Sequence, residues 1–150
     1  MIEKIMIQLD DNQLDASRPH RHQGAETASI WLDCFPDNQM GRSLYLINGS
    51  NEILTWVRAC PISSVTIDDN AFGGGGEMLC YQDVAHGQAV KIDQYDEFYD
   101  LDYSISVEVS LFSECLGQQR FSPTPRKGGL KKVGLVWRTT RTADNGNVTR

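Results

Sequence analysis

From Tyr103 to Leu111 the chain alternates without a break: Tyr103, Ile105, Val107, Val109 and Leu111 are separated by Ser104, Ser106, Glu108 and Ser110. A helix would scatter these five apolar side chains around its circumference, whereas an extended strand gathers them on one face. The stretch therefore predicts a β-strand with one buried face, and a strand of that kind needs further strands beside it.

Weaker versions of the pattern recur along the chain, each bounded by Gly, Pro, Asn or Asp. Residues 3–9 place Ile5, Ile7 and Leu9 on one side, and residues 28–34 place Ile30 and Leu32 opposite Trp31. Residues 44–47 and 53–57 flank Asn48-Gly49, a dipeptide suited to tight hairpin turns, and read as a hairpin. Val65 and Ile67 end another run. Residues 133–140 read as a last strand with Val133, Leu135, Trp137 and Thr139 on its inner face, Gly134 marking a weak point or bulge. Helical spacing is scarce; Tyr95, Phe98 and Tyr99 fit one short helix over 93–101.

Strands at intervals of roughly ten residues predict a mainly β, single-domain antiparallel sandwich or barrel, jelly-roll-like, with at most one or two short helices. Its expected extent is 1–140, with 141–150 a flexible polar tail. A chain of 150 residues suits one core rather than two. Its first residues hold no uninterrupted apolar stretch and it has no apolar run long enough to cross a bilayer, so the expectation is a cytoplasmic protein off the membrane. Cys34, Cys60, Cys80 and Cys115 form no C-x-x-C pair and read as buried thiols acting as small hydrophobes.

Charge is divided unevenly. Residues 1–117 hold six Lys or Arg against nineteen Asp or Glu, whereas residues 118–150 hold eight against one, so the two parts carry −13 and +7. Either a basic tail engages a polyanion or a basic strand docks on the chain's own acidic face.

Several constellations bear on function. Residues 93–103 combine five carboxylates with four aromatic rings, a composition suited to a basic protein partner. Asp93, Tyr95, Asp96, Glu97, Tyr99 and Asp100 are its candidate contacts, joined by Gly74 and Gly75 from the run Gly73–Gly76, which reads as a mobile hairpin tip. That run lacks the lysine and hydroxyl residue of a phosphate loop. The basic segment 120–141 holds Arg120, Arg126, Lys127, Lys131 and Lys132 but little aromatic interleaving, which makes nucleic acid a lesser candidate.

Metal-ligand chemistry gathers only at His20-Arg21-His22, Glu26 and the distant His86. The string H-x-H-x3-E resembles the first motif of the cupins, small β-barrels that hold a divalent transition metal. That resemblance implies His20, His22, Glu26 and His86 as ligands, although Leu14 and Asp33 stand where the family places glycines.

The leading expectation is a non-enzymatic acidic protein, of inhibitor, antitoxin or accessory type, that recognises a protein partner without a cofactor. A cupin-like metal-dependent enzyme is the alternative, and a β-barrel enclosing a small molecule the third. Self-association as a homo-oligomer is compatible with each.

Overall fold

The computed structural model describes residues 3–37, 41–67, 70–75, 78–96 and 103–139. In chain order the elements are β1 (Met6–Gln8), α1 (Asp11–Ser17), β2 (His20–Arg21), β3 (Glu26–Pro36), β4 (Gly41–Asn48), β5 (Leu54–Ile67), β6 (Asn70–Gly75), β7 (Leu79–Val84), β8 (Gln88–Asp96), β9 (Ser104–Ser113), β10 (Gly117–Phe121), β11 (Arg126–Lys127) and β12 (Val133–Thr139). The first sheet runs β1-β8-β4-β3-β12, with β2 also on β3. The second runs β10-β9-β5-β6, with β7 on β5 and β11 on β9. Pairing is antiparallel throughout both, as expected for a mainly β chain.

The stripe from Ile105 to Leu111 forms the inner face of β9, as its period of two requires. It meets Leu54, Val57 and Ala59 of β5 and, from the opposite sheet, Ile30, Leu32, Leu44, Leu46, Val90 and Ile92. That shared core is one of two. The first sheet is also buried on its far side, where Trp31, Tyr45, Ile47 and Ala89 lie under Leu9 and Leu14. Apolar residues on both faces give β4 its unbroken buried run from Ser43 to Asn48.

The cover over that far side comes from residues 5–17. Ile5, Ile7 and Leu9 share a face, as their spacing predicts, but only Met6–Gln8 pair as a strand, at the sheet edge beside β8. The chain then turns into α1, started by a capping box in which Asp10 accepts from the Gln13 backbone and the Gln13 side chain accepts from the Asp10 backbone, each at 2.8 Å.

Among the described residues α1 is the helix of the fold. The helix expected over 93–101 is not formed at its start, since β8 continues extended through Asp96, paired with Gly41; residues 97–102 lie outside the described set. The hairpin expected across Asn48-Gly49 is likewise replaced. Strand β4 belongs to the first sheet and β5 to the second, so the corner between them is a crossing. Asn48, fully buried, holds it: Nδ2 donates to Glu52 O at 2.8 Å and Val84 O at 2.9 Å, while Oδ1 accepts from Ser50 N and Oγ. Gly49 is required there because a Cβ would stand 2.5 Å from the Trp31 ring.

Three further expectations are corrected. Gly73–Gly75 lie within a strand, paired with Ile62–Ser64, and so form no hairpin tip; Gly76 lies outside the described residues. No disulfide joins the four cysteines, yet Cys80 and Cys115 are exposed and Cys34 and Cys60 only half-buried, because Cys80 falls between the inward Leu79 and Tyr81 and Cys115 sits in a turn. At Cys34 burial pushes the thiol up to about 11. In β12, register shifts between Gly134 and Trp137 break the alternation, so Leu135 and Val136 both reach the shared core and Trp137 turns to the far side.

The basic third, through Thr139, is woven into both sheets. Strands β10 and β11 pair with β9 and β12 pairs with β3, with Arg120 3.2 Å from Glu108 and Lys132 3.9 Å from Asp33. Residues 140–150, expected as a tail, lie outside the described set.

Asn48→Ala removes four hydrogen bonds at a buried corner, and the expected loss is about 2–4 kcal/mol of folding stability. A urea denaturation midpoint indistinguishable from wild type contradicts this account of the crossing.

Candidate functional site

The cover formed by β1 and α1 is too small to fill the far side of the first sheet. A cleft of 590 Å³ remains between them, within the range of small-molecule sites. Ile5, Ile7 and Leu9 form one wall, Gln13, Ala16 and Ser17 of α1 another, and Phe35, Ser43, Tyr45 and Lys91 the floor. Asp33, Pro36 and Asp37 complete it.

The floor is fixed by strand register. Asp33 pairs with Tyr45 and Tyr45 with Lys91, so an acid, a phenol and an ammonium stand in one row across three adjacent strands. Successive strands are about 4.8 Å apart, which puts the Cα atoms of Asp33 and Lys91 roughly 10 Å from each other. A register shift between Leu44 and Tyr45 follows this row, and the next outer position, Ser43, pairs with Gln94.

At the Asp33 end the charge is satisfied. Ser17 Oγ donates to Asp33 Oδ2 at 2.7 Å and accepts from Trp31 Nε1 at 2.8 Å, while Oδ1 accepts from the Cys34 backbone and Lys132 approaches from outside. This chain of bonds also ties the end of α1 to β3. Arg18, next along, lies over the Trp31 ring at 4.8 Å and donates to Ala28 O, where burial lowers its guanidinium below the ordinary value.

The Lys91 end differs. Lys91 is 6% exposed, and its ammonium donates to Gln94 Oε1 at 2.7 Å. No carboxylate lies within 4 Å of it among the described residues. Burial, and then the neighbouring Asp37, push the Tyr45 phenol above its ordinary value.

The sequence offered a partial signal for this site. Ile5, Ile7 and Leu9 are legible as one face, and the Asp10 and Gln13 spacing announces a helix start that the sequence reading passed over. Lys91, a lone cation between Val90 and Ile92, was also passed over.

The residues singled out from sequence are placed elsewhere. Asp93 and Tyr95 are buried, Tyr95 within the shared core with its hydroxyl accepting from Leu130 N at 3.1 Å. Of that acidic-aromatic set Asp96 is exposed, and Glu97, Tyr99 and Asp100 lie outside the described residues. Gly74 and Gly75 are backbone-paired in β6.

The cupin-like ligand set is not assembled. Among the described residues no three His, Cys, Asp or Glu side chains are grouped to hold a metal ion. His22 leaves the extended backbone at φ 55°, so it does not share a strand face with His20. Glu26 is taken by Arg21 at 2.7 Å, with His22 at 3.5 Å. His86 sits in the β7–β8 turn with Nδ1 2.9 Å from Ser50 O. No protein-family profile, curated protein or solved structure matches the chain.

Because the folded state favours the neutral Tyr45 phenol, its contribution to stability is complete below the unfolded value of 10.0 and is lost as pH rises through the higher folded value. Urea midpoints measured between about pH 9 and 12 should fall more steeply for wild type than for Tyr45→Phe. Parallel curves mean that the phenol is solvated like an ordinary tyrosine.

Proposed function

We propose that the protein binds a small amphiphilic molecule in the cleft between the first sheet and its cover of β1 and α1. The carrying observation is the 590 Å³ space itself, walled by Ile5, Ile7, Leu9 and Phe35 and furnished with a few polar groups on its floor. Apolar walls supply affinity for a chain or ring, and a small number of fixed polar groups set its orientation.

The protein-partner reading has less support. Two of the side chains it needs, Asp93 and Tyr95, face inward. An occupant of the cleft would meet groups already held in place by the sheet register and by the bonds of Ser17. Pre-organisation of that kind lowers the ordering cost of binding.

Ala16 tests the reading, because it lines the cleft from the exposed side of α1 and is not part of either core. In a fluorescence titration with the neutral apolar probe N-phenyl-1-naphthylamine, wild type should show saturable binding. Ala16→Trp, which fills the space, should weaken it about tenfold or more with the urea midpoint little changed. Absence of saturable binding by wild type, or equal binding by both proteins, counts against the cleft as a ligand site.

A further inference from the structure

We infer that the occupant of the cleft is a monocarboxylate, its head held by Lys91 and Tyr45 and its apolar chain laid along Ile5, Ile7 and Phe35. The inference rests on the cleft being a ligand site and adds the chemistry of the ligand.

Charge balance is the first support. An ammonium carries three donors, and Lys91 uses one of them on the neutral Gln94. It is 94% buried, given its 6% exposure, and lines the cleft with no carboxylate within 4 Å among the described residues. A buried cation is unfavourable unless an anion and further acceptors meet it. The neighbouring carboxylates do not serve: Asp33 is engaged by Ser17 and Lys132 at the other end of the row, and Asp37 accepts from Ser43 at 3.4 Å.

Donor geometry is the second support. Tyr45 is the cross-strand partner of Lys91, and its hydroxyl has no hydrogen-bond partner among the described residues. Cross-strand pairing thus puts the phenol and the ammonium on the same face of the sheet, both lining the cleft, where an O–H and an N–H donor are available to the two oxygens of one carboxylate. A single negative charge fits better than a phosphate dianion, because Asp37 lines the same space and lies near enough to Tyr45 to influence its phenol.

Apolar shape is the third. The wall beyond Lys91 is built from Ile5, whose carbonyl accepts from the Lys91 backbone at 2.9 Å, followed by Ile7 and Leu9. A ligand whose head reaches Lys91 has this edge for its chain.

Decanoate and decanol share a chain and differ in the head, so they separate the two claims. Each is used to displace N-phenyl-1-naphthylamine from wild type, Lys91→Met and Tyr45→Phe at near-neutral pH and low salt. Decanoate should displace the probe from wild type at a concentration about tenfold or more below that of decanol, the scale of a charge-assisted hydrogen bond. Lys91→Met should abolish that advantage while leaving decanol unchanged. Tyr45→Phe, which keeps the ring and removes the hydroxyl, should weaken decanoate about fivefold and spare decanol, and it serves equally if the Lys91 variant does not fold. Equal displacement by the two ligands from wild type overturns the carboxylate assignment and leaves the cleft standing. Failure of wild type to bind the probe at all overturns both.

Discussion

A sheet with two apolar faces needs two covers, and that requirement organises this molecule. The second sheet satisfies the inner face of the first, closing a core that runs from Ile30 and Leu44 to Val107 and Leu111. Among the described residues the outer face is covered by β1 and the seven-residue α1. A sheet face several strands wide is not sealed by a cover that small. Trp31, Ile47 and Ala89 are buried under it, while the rows of Asp33–Tyr45–Lys91 and Phe35–Ser43 open into the cleft. The cleft is thus a product of the same pattern that makes the sheet.

Two polar arrangements hold this layering in register. Asn48 anchors the chain where it passes from one sheet to the other, bonding across to Val84 and forward to Glu52. Ser17 anchors the end of the cover through Trp31 and Asp33. Both are buried side chains with good partners on each side, the circumstance in which a polar group specifies geometry rather than weakening a core. The basic C-terminal part of the chain does related work, since Arg120 in β10 and Lys132 just before β12 meet carboxylates of the acidic part.

What could be read from the sequence followed the strength of local periodicity. The β9 stripe is unambiguous because five alternations admit no helical solution. The face of Ile5, Ile7 and Leu9 was legible for the same reason, and Gly134 did mark a bulge. The partners of each strand were not legible. Asn48-Gly49 satisfies the composition of a hairpin turn, and nothing local distinguishes it from a crossing held by Glu52 and Val84, thirty-six residues apart in the latter case. Segment 93–101 shows helical spacing of aromatic rings, yet pairing with β4 decides the conformation of its first four residues. The histidines failed for a related reason: similarity of spacing carries no information about whether His22 stays extended or whether His86 comes near.

Lys91 marks the place where local and global patterns disagree. Between Val90 and Ile92, on a strand buried on both faces, an apolar residue would fit the alternation and cost nothing in desolvation. Such inconsistencies are expected to concentrate at functional positions, because stability alone gives no reason to keep them. Asp33 provides the internal comparison, since it stands in the same row, on the same face, under the same cover, and is answered by Ser17 and Lys132. The fold therefore has the means to neutralise a charge on this surface and applies it at one end of the row. At the other end a buried ammonium on the cleft floor, bonded to the neutral Gln94, has no carboxylate within 4 Å among the described residues, and the carboxylate proposed for the ligand supplies that charge.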